Sequence, residues 1–154
     1  MDKTNVLRIL DQNKIEYKYH EYDNTETNGE MVATLLNEEP SQVFKTLVTV
    51  SNTKEHFVFV IPVNESLDLK KAAKSANVKS IEMIKQKDLL PLTGYIHGGC
   101  SPIGMKKEFK TFINETAILF ESIFVSGGRI GLQIEIHPDK LKEIVKAEYI
   151  DCIK

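Results

Sequence analysis

Residues 43–61 read VFKTLVTVSNTKEHFVFVI and contain two runs that are rich in β-branched and aromatic residues. Such residues favour strands, and the polar triplet Asn52-Thr53-Lys54 lies between the two runs. The pattern therefore predicts an antiparallel hairpin with strands at residues 43–50 and 57–61.

Helices and further strands are predicted on both sides of this hairpin. The spacing of apolar residues predicts helices at 4–13, capped by Thr4 or Asn5, at 30–37, at 69–76, capped by Asp68, and at 84–90. A last helix starts at Pro138 and continues to residue 147. β-rich runs predict strands at 15–22, 95–96, 110–113, 122–126 and 132–136. Because helices and strands do not strictly alternate, the predicted class is α+β with a mixed sheet.

The composition excludes several classes of protein. Of the 154 residues, 42% are hydrophobic and 27% are charged, and no apolar run approaches the roughly 18 residues that cross a bilayer. Residues 1–10 lack the features of a secretory signal. The two cysteines, Cys100 and Cys152, lie far apart, which argues against a disulfide scaffold and a zinc site and fits a reducing cytoplasm. No repeat or linker is visible, so residues 1–154 are expected to form one domain.

The charge balance limits how the chain could bind nucleic acid. Its formal net charge is −2, whereas a protein that grips nucleic acid alone usually has a basic surplus. In place of a basic surplus the sequence has only local basic clusters, at residues 70–71 and 106–110 and at Arg129. A nucleic acid would therefore be contacted over a small area, or with the help of a partner.

Lys45 is the first candidate functional residue. In the predicted strand it lies between Val43 and Leu47 on one face. A charged ammonium flanked by two apolar residues must extend its stem toward water, find a partner or line a cleft. The pattern leaves open whether Lys45 is a solvent-reaching lysine on an edge strand or a lysine in a cleft.

The second candidate is a glycine-rich loop at residues 95–107, which reads YIHGGCSPIGMKK. The structural interpretation is a connecting turn, since clusters of Gly and Pro mark turns. In the functional interpretation, the backbone N–H groups of Gly98, Gly99 and Cys100 converge on an anionic or polarised oxygen. Pro102 would stiffen the turn. The sequence leaves both interpretations open.

Other residues carry weaker signals. Cys100 lies close in sequence to His97, which allows a cysteine nucleophile as well as an incidental loop cysteine. Ser126 precedes Gly127-Gly128, which fits either a hairpin turn or the wall of a pocket. The remaining histidines share no metal-ligand spacing, so no metal site is expected.

Several separated stretches together resemble one family, in order and over nearly the whole chain. They are HEY at residues 20–22, VFKTLV around Lys45, LDLKKAAK at 67–74, GGCSPIG from Gly98 and VSGGRIGLQIEI from Val125. The chain is thereby similar to the YbaK/EbsC family of aminoacyl-tRNA deacylases, which is related to the editing domain of some prolyl-tRNA synthetases. The resemblance implies a mixed, partly barrel-like sheet surrounded by helices, with a pocket for the aminoacylated 3′ adenosine.

The resemblance also implies roles for individual residues. Lys45 matches the family's essential lysine, and Tyr22 matches its pocket tyrosine. Gly99 matches the glycine whose amide holds the substrate, with Gly98 beside it, and Ser126 matches a serine on the pocket wall. The chain departs from the family at Gln133, where close relatives have an aspartate. Glutamine makes hydrogen bonds but holds no negative charge, so the sequence leaves open a weaker activity toward cysteine or a different preferred amino acid.

The activity that the resemblance implies is the trans-editing of Cys-tRNA(Pro), and of Cys-tRNA(Cys), in the cytoplasm. The substrate's own thiol would attack its ester, so no cofactor, metal or protein nucleophile is expected. Prolyl-tRNA synthetase is the expected partner, and no membrane is involved. Two alternatives stay open. One is a deacylase that uses water on Ala- or Ser-tRNA, and the other is a non-catalytic module that binds acceptor ends or a synthetase.

Overall fold

A computed structural model describes residues 2–23 and 25–154. Met1 and Asn24, which belong to the predicted domain, lie outside the described residues. The α+β class is confirmed. The described strands are β1 (Lys18–Glu21), β2 (Phe44–Ser51), β3 (His56–Pro62), β4 (Ile81–Met83), β5 (Lys110–Asn114), β6 (Ile123–Ser126), β7 (Leu132–Ile136) and β8 (Glu148–Ile150). The described α-helices are α1 (Asn5–Gln12), α2 (Gly29–Leu35), α3 (Leu69–Ser75), α4 (Gln86–Thr93) and α5 (Pro138–Val145), with short 3-10 helices at Pro40–Gln42 and Glu115–Leu119.

The strands form two sheets. One is antiparallel, with the order β1-β7-β6, and the other has the order β4-β2-β3-β5-β8. In the larger sheet β3 pairs with β5 and β5 with β8 in parallel, whereas β2 pairs antiparallel with β3 and β4. The sheet is therefore mixed, as predicted, and the hairpin of β2 and β3 is confirmed.

The two sheets meet along one seam. A single parallel bridge, between Val43 and Phe124, joins the start of β2 to β6. The main core lies between the sheets, where β2 contributes Phe44 and Val48 and β6 contributes Val125. Within the described residues the strands make two sheets and no closed barrel, so the barrel-like arrangement is partial. This seam positions the site that is described below.

Several local predictions are confirmed by the capping contacts. Thr4 caps α1 by accepting a hydrogen bond from the Leu7 amide at 3.3 Å. Asp68 caps α3 by accepting hydrogen bonds from the Lys70 and Lys71 amides, each at 3.0 Å. Side-chain acceptors at these positions satisfy amides that the first helical turn leaves free.

Three local predictions are wrong or incomplete. Residues 95–96 form no strand, because α4 ends at Gly94 in a left-handed conformation and the chain then turns. The helix predicted at residues 84–90 begins at Gln86 and is preceded by β4, which the sequence did not predict. The predicted strand at residues 15–22 is confined to β1.

The segment after α5 was also missed. β8 lies parallel to β5, and Ile153 forms an antiparallel bridge with Leu67. The Asp68 amide donates to the Cys152 carbonyl at 2.8 Å, which ties this segment to the start of α3. Residues 148–153 therefore complete the larger sheet on the edge away from β4.

In the described residues no helix is long and apolar enough to span a bilayer.

Candidate active site

A cavity of about 400 Å³ lies at the seam between the two sheets. Its volume falls within the roughly 300–1,000 Å³ that is usual for small-molecule sites. Five of the seven residues predicted from the sequence line this cavity: Tyr22, Lys45, Gly98, Ser126 and Gln133. They come from distant parts of the chain, so the fold brings together four of the five motifs on which the family resemblance rests, all but the one at residues 67–74.

The strand registers explain how three of these residues converge. Lys45 is the second residue of β2, next to the point where Val43 bridges to β6. Ser126 is the last residue of β6 and lies directly opposite Gln133 of β7. Opposed residues of an antiparallel pair project from the same face of the sheet, so Ser126 and Gln133 form one wall of the cavity.

Lys45 occupies a cleft, one of the two positions that the sequence left open. The side chain is half-buried, and its Nζ donates a long hydrogen bond of 3.4 Å to the Val63 carbonyl. Burial lowers the pKa of Lys45 below its usual value, against the negative charges of Glu30 and Glu65, which raise it. No carboxylate of the described residues comes within ion-pair distance of Lys45. Its ammonium can therefore bind an incoming oxygen.

Three polar atoms of the cavity lack partners. Tyr22 Oη, Thr46 Oγ1 and Gln133 Oε1 are buried, and none has a hydrogen-bond partner within the described part of the chain. All three residues line this cavity. Buried polar groups are satisfied in the large majority of cases, and an orphaned one raises the free energy of the folded state. Their concentration in one cavity indicates a site for a polar ligand.

Gly98 combines a turn with a close contact. The Gly99 amide donates to the Ile96 carbonyl at 3.0 Å, and Gly98, with φ +87°, occupies the third position of this turn. A Cβ at Gly98 would lie 2.6 Å from Cγ2 of Thr27, which also lines the cavity. Among the described residues neither the Gly98 nor the Cys100 amide donates to a backbone acceptor. Both residues line the cavity, so their amides are available to a ligand.

Gly99 and Pro102 are not brought to the cavity. The Gly99 amide is used within the turn, and a Cβ there would lie 3.1 Å from the Arg129 Cα and 3.0 Å from the Ile130 nitrogen. The space that requires glycine at this position is thus filled by the loop after β6, and not by a substrate. Pro102 lines a separate cavity of about 280 Å³. We therefore move the predicted donor role from Gly99 to the Gly98 and Cys100 amides.

The motif at Ser126 was interpreted either as a hairpin turn or as the wall of a pocket, and Ser126 fits both. The turn after β6 leads into β7, and the Ser126 Oγ accepts a hydrogen bond from the Gly128 amide at 3.1 Å. The residue is buried and lines the cavity. It therefore belongs to a hairpin and to a pocket wall at the same time.

Cys100 is a poor nucleophile despite its place in the cavity. Burial raises the pKa of its thiol to about 12, so that the thiol is protonated at neutral pH. His97, its neighbour in sequence, also lines the cavity but is exposed. The described residues include no group of three or more His, Cys, Asp or Glu side chains that could hold a metal ion.

Slow alkylation of the native thiols follows from this burial. Both Cys100 and Cys152 are buried, and burial raises the pKa of each to about 12. We expect iodoacetamide at pH 8 to modify the native protein at least about tenfold more slowly than free cysteine, because the thiolate is the reacting form. Intact mass spectrometry measures the rate, with the urea-unfolded protein as the control. Labelling of native Cys100 at the rate of free cysteine would contradict this, and Cys100 would again be a candidate nucleophile.

Comparisons with known proteins agree on the kind of fold. The sequence profile of a family described as "Aminoacyl-tRNA editing domain" matches residues 23–144. A protein of Enterococcus faecalis, provisionally named Cys-tRNA(Pro)/Cys-tRNA(Cys) deacylase EbsC, is 45% identical over 151 residues, which are 97% of this chain and 92% of that protein.

Two crystal structures are similar to the whole fold. A hypothetical protein aligns with a TM-score of 0.91 and 20% identity, over 98% of this chain and 100% of its own. A protein described as a candidate trans-editing enzyme for prolyl tRNA synthetase aligns with a TM-score of 0.84 and 19% identity, over 99% of both chains. At this level of identity the two structures support the fold alone.

Proposed function

The chain belongs to the family of aminoacyl-tRNA editing domains, and we propose that it is a trans-editing deacylase that removes cysteine from Cys-tRNA(Pro). The observation that carries the proposal is the cavity at the seam, which combines the Lys45 ammonium with three unpartnered buried polar atoms. An aminoacylated ribose offers hydroxyl, amino and carbonyl groups that suit these atoms. The relative named a Cys-tRNA(Pro)/Cys-tRNA(Cys) deacylase supports the choice of amino acid.

The chemistry needs little from the protein because the aminoacyl ester is already activated. The cysteine thiol of the substrate attacks its own ester carbonyl and forms a carbon–sulfur bond. The carbon–oxygen bond to the ribose then breaks, the thiol proton passes to the ribose oxygen, and cysteine leaves as a thiolactone that water opens. This route requires no protein nucleophile, which agrees with the raised pKa of Cys100.

The cavity residues then act by positioning and by electrostatic stabilisation. Lys45 pairs with an oxygen of the terminal phosphate or ribose and holds the ester in attack geometry. The Gly98 and Cys100 amides donate to the oxyanion that develops on the carbonyl. Tyr22, Ser126 and Gln133 bind the ribose hydroxyls and the amino group.

The charge of the chain bears on how it binds tRNA. The net charge of −2 leaves no basic surplus, which favours a second protein that holds the tRNA body. Prolyl-tRNA synthetase is the partner that we propose, in the cytoplasm, where tRNA is charged. Measuring the affinity for tRNA with and without that enzyme tests this part of the proposal.

A deacylation panel tests the proposed activity. We expect the protein to release cysteine from Cys-tRNA(Pro) well above the uncatalysed rate, and to release S-methylcysteine at least about tenfold more slowly, because the blocked sulfur cannot attack. Ser-tRNA(Pro) and Ala-tRNA(Pro) complete the panel. Equal rates for cysteine and S-methylcysteine would favour attack by water. No release from any of the four would favour a binding module without catalysis.

A further inference from the structure

Thr46 reaches the cavity from the core-facing side of β2. Thr46 and Lys45 are neighbours on this strand, so their side chains project from opposite faces. Thr46 shares its face with Phe44, which belongs to the main core. Phe44, Leu89 and Cys100 line the cavity together with Thr46, and all three belong to the main core or pack against it. The Thr46 hydroxyl therefore lies on the side of the cavity that adjoins the main core.

The hydroxyl of Thr46 differs from the hydroxyls of other threonines in the strands. Thr49, on the same strand, donates to the Phe57 carbonyl at 2.9 Å, and Thr111 donates to the Phe109 carbonyl at 2.9 Å. Thr46 Oγ1 is buried and has no such partner within the described residues. A threonine hydroxyl readily bonds to nearby backbone carbonyls, so an unpartnered one beside a cavity points to an external partner.

We propose that Thr46 is a specificity residue that hydrogen-bonds the side chain of the bound aminoacyl group. This inference rests on the proposed function. A hydroxyl both donates and accepts, so it suits the thiol of cysteine or the hydroxyl of serine, whereas the methyl group of alanine offers it nothing. Lys45, which also lines the cavity, projects from the other face of β2, so it is not placed to pair with an acidic side chain that reaches Thr46. The ligand class is therefore a small, neutral side chain that ends in S–H or O–H.

Kinetics of two matched variants test the assignment. Thr46→Val keeps the shape and removes the hydroxyl, whereas Thr46→Ser keeps the hydroxyl. We expect Thr46→Val to lower kcat/KM for Cys-tRNA(Pro) by about tenfold, since one neutral hydrogen bond is lost. Thr46→Ser should retain the wild-type value. A Thr46→Val variant with the wild-type kcat/KM for Cys-tRNA(Pro) would overturn the assignment.

Thermal unfolding is a second readout. The shift in Tm on Thr46→Val should have one sign if the Thr46 hydroxyl has no internal partner and the opposite sign if it has one. Removing an orphaned buried hydroxyl should stabilise the free protein, so Thr46→Val should raise Tm by about 2–4 °C. Thr49→Val, the matched control, breaks a hydrogen bond that the structure contains and should lower Tm. If Thr46→Val lowers Tm as Thr49→Val does, the hydroxyl has an internal partner and the proposal fails.

Binding separates failure of this inference from failure of the proposed function. Stable adenosine analogues with cysteine or alanine in a 3′-amide linkage bind without reacting, so their affinities do not depend on catalysis. We expect the wild type to bind the cysteinyl analogue about tenfold more tightly than the alanyl one and Thr46→Val to bind both alike. An inactive enzyme that shows this pattern would reject the proposed reaction and retain the role of Thr46. If the enzyme is active and Thr46→Val still binds the cysteinyl analogue more tightly than the alanyl one, the proposed reaction stands and the role of Thr46 is rejected.

Discussion

Replacing Lys45 by methionine is expected to lower the rate of deacylation of Cys-tRNA(Pro) by at least about 100-fold, the loss typical when a preorganised electrostatic contact is removed. Methionine keeps the length and apolar character of the stem and removes the ammonium. Since the ammonium makes only one long hydrogen bond to the described part of the chain, with the Val63 carbonyl, the folded state should lose little stability. Single-turnover deacylation measures the effect, and circular dichroism checks the fold.

The control for this variant is Lys74→Met, which removes an exposed ammonium from α3, outside the residues that line the cavity. It should retain the wild-type rate.

A second readout for Lys45 is the pH profile of analogue binding. Because burial lowers the pKa of Lys45, the charged form disappears as pH rises through a value below the usual 10.5. Analogue binding should weaken over that range in the wild type and stay flat in Lys45→Met. A fully active Lys45→Met protein would remove Lys45 from the mechanism.

Replacing Gly98 by alanine is the second substitution for which we expect a loss of about 100-fold, because it displaces the two amides that we propose as donors to the substrate carbonyl. Two effects combine at this position. Gly98 has φ +87°, which L side chains rarely adopt, and the new Cβ would lie 2.6 Å from Cγ2 of Thr27. The loop must move away from residue 27, which lines the same cavity.

The matched control is Gly94→Ala, which introduces the same backbone strain at φ +87° but meets only the flexible side chain of Lys106. It should lose stability and retain activity. Adding Thr27→Gly to Gly98→Ala removes the obstructing side chain and should restore part of the rate. Equal losses of activity in the two alanine variants would mean that strain alone, and not displacement of the amides, accounts for the result.

The sequence predicted those parts of the site that lie in motifs. Lys45 and Ser126 were assigned because they match residues of the family pattern, Gln133 because it departs from that pattern, and Gly98 because it adjoins Gly99. The fold places all four at one cavity. Thr46 was missed because a threonine in a β-rich run is ordinary. Only the burial of its hydroxyl and the lack of a partner set it apart, and both depend on packing between distant segments.

The misplaced residues have a local cause. Gly99 and Pro102 share a motif with Gly98, but the chain turns within it. The turn from Ile96 to Gly99 consumes the Gly99 amide, and the following residues pass toward α1 and the second cavity, which Ile9 also lines. Neighbours in sequence thus end at different cavities, and a motif alone does not reveal where the chain turns.

Elements whose whole pattern lies in one segment of the sequence were predicted correctly. Elements that form only by pairing with a distant strand were missed. The hairpin of β2 and β3 carries its own pattern and its own turn. β8 has three residues and forms only because the edge of β5 is available to it. The strand expected at residues 95–96 finds no such edge. Instead, the Tyr95 amide bonds to the Thr93 hydroxyl at 3.1 Å.

The late position of β8 has a consequence for synthesis on the ribosome. The edge of β5 that β8 covers is complete at Asn114, but its partner strand ends at Ile150, and Ile153 closes the contact with Leu67. At translation rates of about 5–20 residues per second, that edge stays open in the nascent chain for roughly a few seconds. Chaperones that bind exposed strands have this interval in which to act.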